Sequence, residues 1–361
     1  SGNATIMASG STAAVEITGG TFTLNIVDAA SSYLIDATSS ATYTISGGSF
    51  TGGIRAQGGT KYEITGGTFT NEYGNYNVYE GGDINISGGT FTGSYAQKFA
   101  EDNLADGYEL DEDGTVAVKP VAEVNGVKYA TLAEAVAAVQ EGETITLIDN
   151  VVLAERVTIP ADKTLTIDLN GKSISMEESI IATAYAINNL GNLTITDGVG
   201  GGSINARGVY NGYGDGAANV ATAKITVLSG TINAKGTNGG AAVYNYGIAE
   251  IKGGTFTSIG GYSLNNQSGA SMTIAAGVTA NNGIYASGAT LVVNGGEING
   301  NRSGCHVLYA WNSVVTINGG TCGALNGGGT LNLASVDVAE STKYGILNNK
   351  GTLNLNGVSV D

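Results

Sequence analysis

Charge is scarce in this 361-residue chain: Asp, Glu, Lys and Arg together make up 13% of it. A surface so poor in charge must be built mostly from Thr, Ser, Asn and Gly. Basic residues are the scarcer sign, 15 Lys and Arg against 31 Asp and Glu, for a net charge of -16. That balance repels nucleic acid and anionic membranes and suits a soluble secreted protein or one that takes Ca²⁺. No apolar run approaches the length of a membrane helix, and no signal peptide opens the chain. Proline occurs twice, and the 58 glycines follow no G-X-Y period, which excludes collagen. They lie among alternating apolar residues, which argues against disorder. There is one histidine, His306, and no Ser-His-Asp or Cys-His set surrounds it.

What the chain has in abundance is one short unit. Val15-Glu16-Ile17-Thr18-Gly19-Gly20-Thr21-Phe22 returns as Tyr43 to Phe50, Tyr62 to Phe69, Ile84 to Phe91 and Ala249 to Phe256. Looser copies run from Leu291 to Ile298 and from Val315 to Cys322. Each reads as a strand, a Gly pair and a second strand opening Thr-Phe. A unit this small cannot bury its own apolar face, so neighbouring copies must stack. The first Gly of each pair falls at 19, 47, 66 and 88, spacings of 28, 19 and 22 residues. Fixed strands with turns of varying length predict a parallel β-helix, and exclude rigid ankyrin or leucine-rich repeats.

Two modules are expected. Residues 1–119 end a first module, with a C-terminal cap over about 95–118: a short helix from Tyr95 to Ala105 and a hairpin turning at Asp113-Gly114. Residues 120–361 form the second, opened by a cap over about 121–141. There Asn125-Gly126 turns a hairpin, and Thr131-Leu132-Ala133-Glu134 is a capping box. The helix after it carries Leu132, Ala135, Val136 and Val139 on one apolar stripe. Beyond it, Leu193/Ile195, Ile225/Val227, Ala249/Ile251, Met272/Ile274, Leu291/Val293, Val315/Ile317, Leu331/Leu333 and Leu353/Leu355 align as one inward column. A second column, Ile187-Asn188, Tyr244-Asn245, Leu264-Asn265, Leu325-Asn326 and Leu347-Asn348, predicts an asparagine ladder of stacked side-chain amides. Ser1 falls directly into repeat material and Val358 to Asp361 is strand-like, so the sequence is expected to be a piece of a longer chain.

These coils resemble the right-handed parallel β-helix of the pectate-lyase-like superfamily. The run from Val121 to Ile174 is similar to the opening of β-helical modules in large secreted or surface-anchored proteins of gut bacteria, chiefly clostridia. The segment from Phe99 to Pro120 is similar to the junction that closes such a module. The resemblance implies an all-β right-handed solenoid and an adhesin-like extracellular role, at the cell surface or secreted. It also raises an alternative, a polysaccharide lyase or glycoside hydrolase on the same fold.

Catalytic residues are not forthcoming. Arg55, Arg156, Arg207 and Arg302 sit at scattered repeat positions, and the Asn-Thr-Asp, Asp-Asp, Gly-His-Gly and Arg-Ile-Lys elements of related galacturonases are missing. The outward carboxylates Glu16, Glu63, Asp83, Glu250 and Glu297 are isolated, whereas glycoside hydrolysis needs a pair at a set separation. Asp106, Asp111 and Asp113 in the first cap are the candidate Ca²⁺ ligands, without the spacing of a full calcium loop. Cys305 and Cys322 fall one coil apart in one alignment, within disulfide reach, but not in the Gly-Gly register. Aromatic residues are the candidate ligand contacts: Tyr73 and Tyr76 in one turn, and Tyr210, Tyr213, Tyr246, Tyr309 and Trp311 near the second strand. Such rings stack on sugars. Tyr244 and Tyr285, in the Leu column, are expected inside. The expected partners are therefore glycans or host surface proteins, bound by a monomer with no membrane insertion in this stretch.

Overall fold

The computed structural model of the protein describes residues 4–8, 13–24, 33–37, 40–71, 77–78, 82–299, 308–319, 321–322, 325–334, 337–338 and 353–356. The chain divides into two compact units, Ser1–Lys119 and Pro120–Asp361. Both are built of β-strands with a single short helix each among the described residues, and the strands lie mostly parallel. None of the helices is long and apolar enough to cross a membrane among those residues.

In the first unit, strands Ala14–Thr23, Thr42–Thr51, Lys61–Thr70 and Asp83–Thr92 stack in parallel register. Period-two alternation sends Ile17, Ile45, Ile64 and Ile86 inward, one above the next, and all four are buried. Phe22, Phe50, Phe69 and Phe91 form another column whose rings stack 4.7 to 5.2 Å apart, within 12° of parallel. That interval is the strand spacing itself.

The Gly pair between these columns has two distinct causes. A Cβ on Gly47, Gly66 or Gly88 would lie 2.3 to 2.5 Å from the Thr18, Ser46 or Thr65 carbonyl oxygen of the preceding strand. The second glycines, Gly48, Gly67 and Gly89, hold φ of 101° to 108°, which side chains resist. After the last strand, helix α1 (Ser94–Glu101) packs Phe99 against Phe91 and buries Ala96 and Ala100. An antiparallel hairpin, Tyr108–Leu110 with Val116–Val118, follows. Thr115 bridges to Thr90, so helix and hairpin cover the edge that strand Asp83–Thr92 would otherwise expose.

The second unit opens with the hairpin Ala122–Val124 and Val127–Tyr129, Asn125 and Gly126 both at positive φ. Helix α2 (Leu132–Ala138) follows. Thr131 accepts from the Glu134 amide and Glu134 returns the bond to the Thr131 amide, the reciprocal cap that its sequence predicts. Leu132, Ala135, Val136 and Val139 are buried in the core.

From Thr144 onward the strands fall into three parallel ladders. The first stacks Thr144–Leu147, Thr164–Asp168, Asn192–Thr196 and Lys224–Val227, and continues through Ile248–Ser258. The second stacks Val151–Leu153, Ser173–Met176, Ser203–Ala206 and Thr231–Ala234. The third stacks Val157–Ile159, Ile187–Asn189, Val209–Asn211, Val243–Asn245, Leu264–Asn266 and Ile284–Ser287. Up to Ile248–Ser258 the strands of each ladder are three apart along the chain; that strand serves the first two ladders at once, so Val243–Asn245, Leu264–Asn266 and Ile284–Ser287 are two apart. The predicted inward column of the first ladder stands in register from Leu193/Ile195 to Leu353/Leu355.

The asparagine ladder exists, but its register differs from the one predicted. The buried residues are Asn189, Asn211, Asn245 and Asn266. Asn189 Nδ2 donates to Asn211 Oδ1 at 2.7 Å, Asn211 to Asn245 at 2.7 Å, and Asn245 to Asn266 at 2.8 Å. Each amide also donates to a turn carbonyl, as Asn189 does to Lys224 and Asn211 to Ile248. Asn188 and Asn265 belong to the adjacent column, opposite Tyr210, Tyr244 and Tyr285. The cause is the pleat. Val209 and Val243 point inward, so the residues two further on, Asn211 and Asn245, must do so as well.

Candidate functional site

The same parity overturns the expectation for Tyr244 and Tyr285. Both lie on the outward column of the third ladder and are half-buried, in register with Tyr210 and Tyr309. That column reads Thr158, Asn188, Tyr210, Tyr244, Asn265, Tyr285 and Tyr309. Successive strands are about 4.8 Å apart, so Tyr210 to Tyr309 spans about 19 Å of surface.

Five tyrosines gather at its lower part. Tyr185, Tyr210 and Tyr213 form one stack, with centroids 3.7 and 4.3 Å apart. Tyr244 and Tyr246 form a second at 5.3 Å. Tyr244 meets Tyr185 and Tyr210 edge-on, at 89° and 71°, an arrangement that brings positive ring edges onto negative faces. Two arginines flank the group. The Arg156 guanidinium lies 6.0 Å from both the Tyr210 and Tyr213 centroids and is paired with Asp215. Arg207 lies 5.8 Å from the Tyr185 ring and donates to the Asn238 carbonyl at 2.7 Å. Among the described residues it has no carboxylate partner. In the floor, Asn188 Nδ2 donates to the Tyr213 carbonyl, while its buried Oδ1 has no hydrogen-bond partner among the described residues.

Burial pushes the Tyr185, Tyr210, Tyr244 and Tyr246 phenols above the ordinary tyrosine range. For Tyr185 the neighbouring Arg207 opposes the shift; for Tyr210 and Tyr246 the nearby phenols reinforce it. These hydroxyls therefore stay protonated and able to donate at any physiological pH. Because the ring faces are turned upon one another, the group offers edges and hydroxyls more than open faces.

Sequence reading singled out Tyr210, Tyr213 and Tyr246 but missed Tyr185, Arg156 and Arg207. The available signal was positional: Tyr185 and Arg207 both stand two residues before the first inward residue of the third ladder, Ile187 and Val209. Tyr309 stacks on Tyr285 at 5.4 Å and 3°, with Tyr262 beside both. Trp311 lies at a corner next to Asn312, which holds φ of 47°, and is 44% exposed. Tyr73, Tyr76, Cys305 and His306 lie outside the described residues; strand Thr321–Cys322 places Cys322 opposite Ile298 and Val338.

The carboxylates are engaged locally. Asp111 Oδ1 accepts from the Asp113 and Thr115 amides and so shapes its own turn. Glu63 accepts from Asn85, and Glu297 from Asn299. Glu250 is held between Lys224 at 2.6 Å and Lys252 at 2.9 Å, and their hydrogen bonds keep its carboxyl below the usual range. The buried Asp36 pairs with Arg55, whose guanidinium lies over Tyr33. No group of three His, Cys, Asp or Glu converges as a metal site would require among the described residues. Comparison with protein-family models, with curated proteins and with solved structures gave no match to this chain.

Proposed function

We propose that this chain is a right-handed parallel β-helix of the pectate-lyase-like kind. In this reading it serves as a non-catalytic adhesin or stalk module of a bacterial surface or secreted protein. It presents its aromatic column to glycans or to host surface proteins, in the manner of the gut-clostridial modules that its motifs resemble.

One observation carries the reading. Three parallel ladders, whose strands the chain visits in the same order again and again, require it to return to the same side after every circuit. Winding in one sense does this with short connections, and parallel crossovers are right-handed almost without exception. A non-catalytic role is supported by the way Glu63, Glu250 and Glu297 are held by asparagine or lysine and Asp111 by turn amides.

The test is a glycan array of the intact chain, run alongside incubation with plant and mucin polysaccharides. Binding without loss of polymer mass is expected. Depolymerisation would replace this reading with the lyase or hydrolase one.

A further inference from the structure

We infer that the tyrosine cluster of the second unit, with Arg207 and Arg156, binds the sulfate esters of a sulfated glycan. This rests on the glycan-binding role proposed above and narrows it to one place and one ligand chemistry.

The argument begins with what the cluster withholds. A ring that stacks on a sugar needs an open face. Tyr210 has Tyr185 on one side at 3.7 Å and Tyr213 on the other at 4.3 Å. The face of Tyr244 takes up ring edges and the Tyr246 stack. Both faces of Tyr210 are thereby closed to the apolar face of a neutral sugar. What remains is a set of phenol hydroxyls hydrogen-bonded in pairs, Tyr185 with Tyr210 and Tyr244 with Tyr246, with two guanidinium groups beside them.

The balance of charge points the same way. The molecule carries -16 overall, yet the charged side chains in contact with this cluster are Arg156, Arg207 and, through Arg156, Asp215. Arg207 is thus an arginine with no carboxylate partner among the described residues on an otherwise acidic molecule. Arg207 has one Nη on the Asn238 carbonyl and a further hydrogen bond to the Tyr185 hydroxyl, which leaves part of its five N–H groups for a ligand. Hydrogen bonds from a guanidinium to an oxyanion are charge-assisted and roughly twice as strong as neutral ones.

Sulfate fits this donor set better than carboxylate does. A carboxylate presents two oxygens in one plane, matched to a single guanidinium fork. A sulfate ester presents three terminal oxygens that diverge, so one can meet Arg207 while the others reach phenol hydroxyls. It also stays ionised across the whole pH range in which these phenols stay protonated.

The experiment measures binding of the intact chain to immobilised dextran sulfate, unsulfated dextran and polygalacturonate. Dextran sulfate should bind, dextran should not, and polygalacturonate should bind at least tenfold more weakly. Raising NaCl to about 0.5 M should weaken the interaction by screening. Arg207→Gln should cost at least tenfold in affinity, and Arg207→Lys should recover part of it. The combined Tyr210→Phe, Tyr213→Phe, Tyr244→Phe and Tyr246→Phe variant keeps the rings, removes four hydroxyls and should lose a similar factor. Circular dichroism and melting temperature establish that each variant is folded; should the fourfold variant be unfolded, the Arg207 pair alone decides. Equal binding of dextran sulfate by wild type and Arg207→Gln overturns the assignment, as does a preference for polygalacturonate. Binding confined to neutral glycans on the array would also remove the sulfate site, yet leave the adhesin reading standing. Binding to no glycan at all would remove both.

Discussion

Replacing Asn211 by alanine should be among the most damaging single changes in the second unit. Asn211 is fully buried. Its Nδ2 donates to Asn245 Oδ1 at 2.7 Å and to the Ile248 and Ala223 carbonyls at 3.0 and 3.1 Å, and its Oδ1 accepts from Asn189 at 2.7 Å. Each such bond contributes about 1 kcal/mol net. The alanine also leaves a polar hollow between two amides aligned by the ladder. Together these give about 3–5 kcal/mol. For a unit of this size that corresponds to roughly 6–20 °C in melting temperature. The control is Asn265→Ala, on the outward column next to the ladder's Asn266, where among the described residues only the bond from Gln267 is lost and about 0.5 kcal/mol is expected. Guanidinium unfolding followed by circular dichroism measures both. Equal costs at the two positions, within about 0.5 kcal/mol, would show that the buried ladder and its register are wrong.

Three further outcomes follow from the same geometry. Gly66→Ala places a Cβ 2.4 Å from the Ser46 carbonyl oxygen and should destabilise the first unit by more than about 3 kcal/mol, read from its denaturation midpoint; a neutral result would refute the close approach of those strands. Glu250 has a folded pKa below its unfolded one, so its stabilisation is present above the unfolded value and fades as pH falls through the folded one. With the side chain 31% exposed, Glu250→Gln should cost only a few tenths of a kcal/mol at pH 7 and should flatten the acid limb of the stability curve. The phenols of buried Tyr62 and of half-buried Tyr210 and Tyr246 titrate above their unfolded range, so stability should fall as pH rises past about 10. Absorbance at alkaline pH should show those tyrosines ionising together with unfolding; free titration near pH 10 in a folded chain would contradict their burial.

Much of the strand order could be read directly because period two is unforgiving. The column from Leu193/Ile195 to Leu353/Leu355 has apolar residues at both inward positions and mostly polar ones between, so a slip of one residue would turn every side chain over. The Thr131–Glu134 cap was legible for a similar reason, as both partners lie in four residues. The asparagine register was not. Ile187-Asn188-Asn189 and Leu264-Asn265-Asn266 each offer two asparagines, and hydropathy ranks a buried one like an exposed one. Counting two residues onward from inward Val209 and Val243 selects Asn211 and Asn245, and with them Asn189 and Asn266. The same count would have moved Tyr244 and Tyr285 outward. Tyr185 and Arg207 share a place two residues before inward Ile187 and Val209, whereas Arg156 reaches the tyrosines from a separate turn that no local pattern connects to them.

The central proposal is that the strands of the second unit, stacked in three parallel ladders, wind as a single right-handed column. An experimental electron-density map of the intact chain tests it most directly. The account predicts Leu193, Ile225, Ala249, Met272 and Leu291 superposed at about 4.8 Å intervals, with Asn189, Asn211, Asn245 and Asn266 in a continuous amide ladder at the neighbouring corner. Antiparallel pairing of these strands, or separate sandwiches in place of stacked layers, would contradict it.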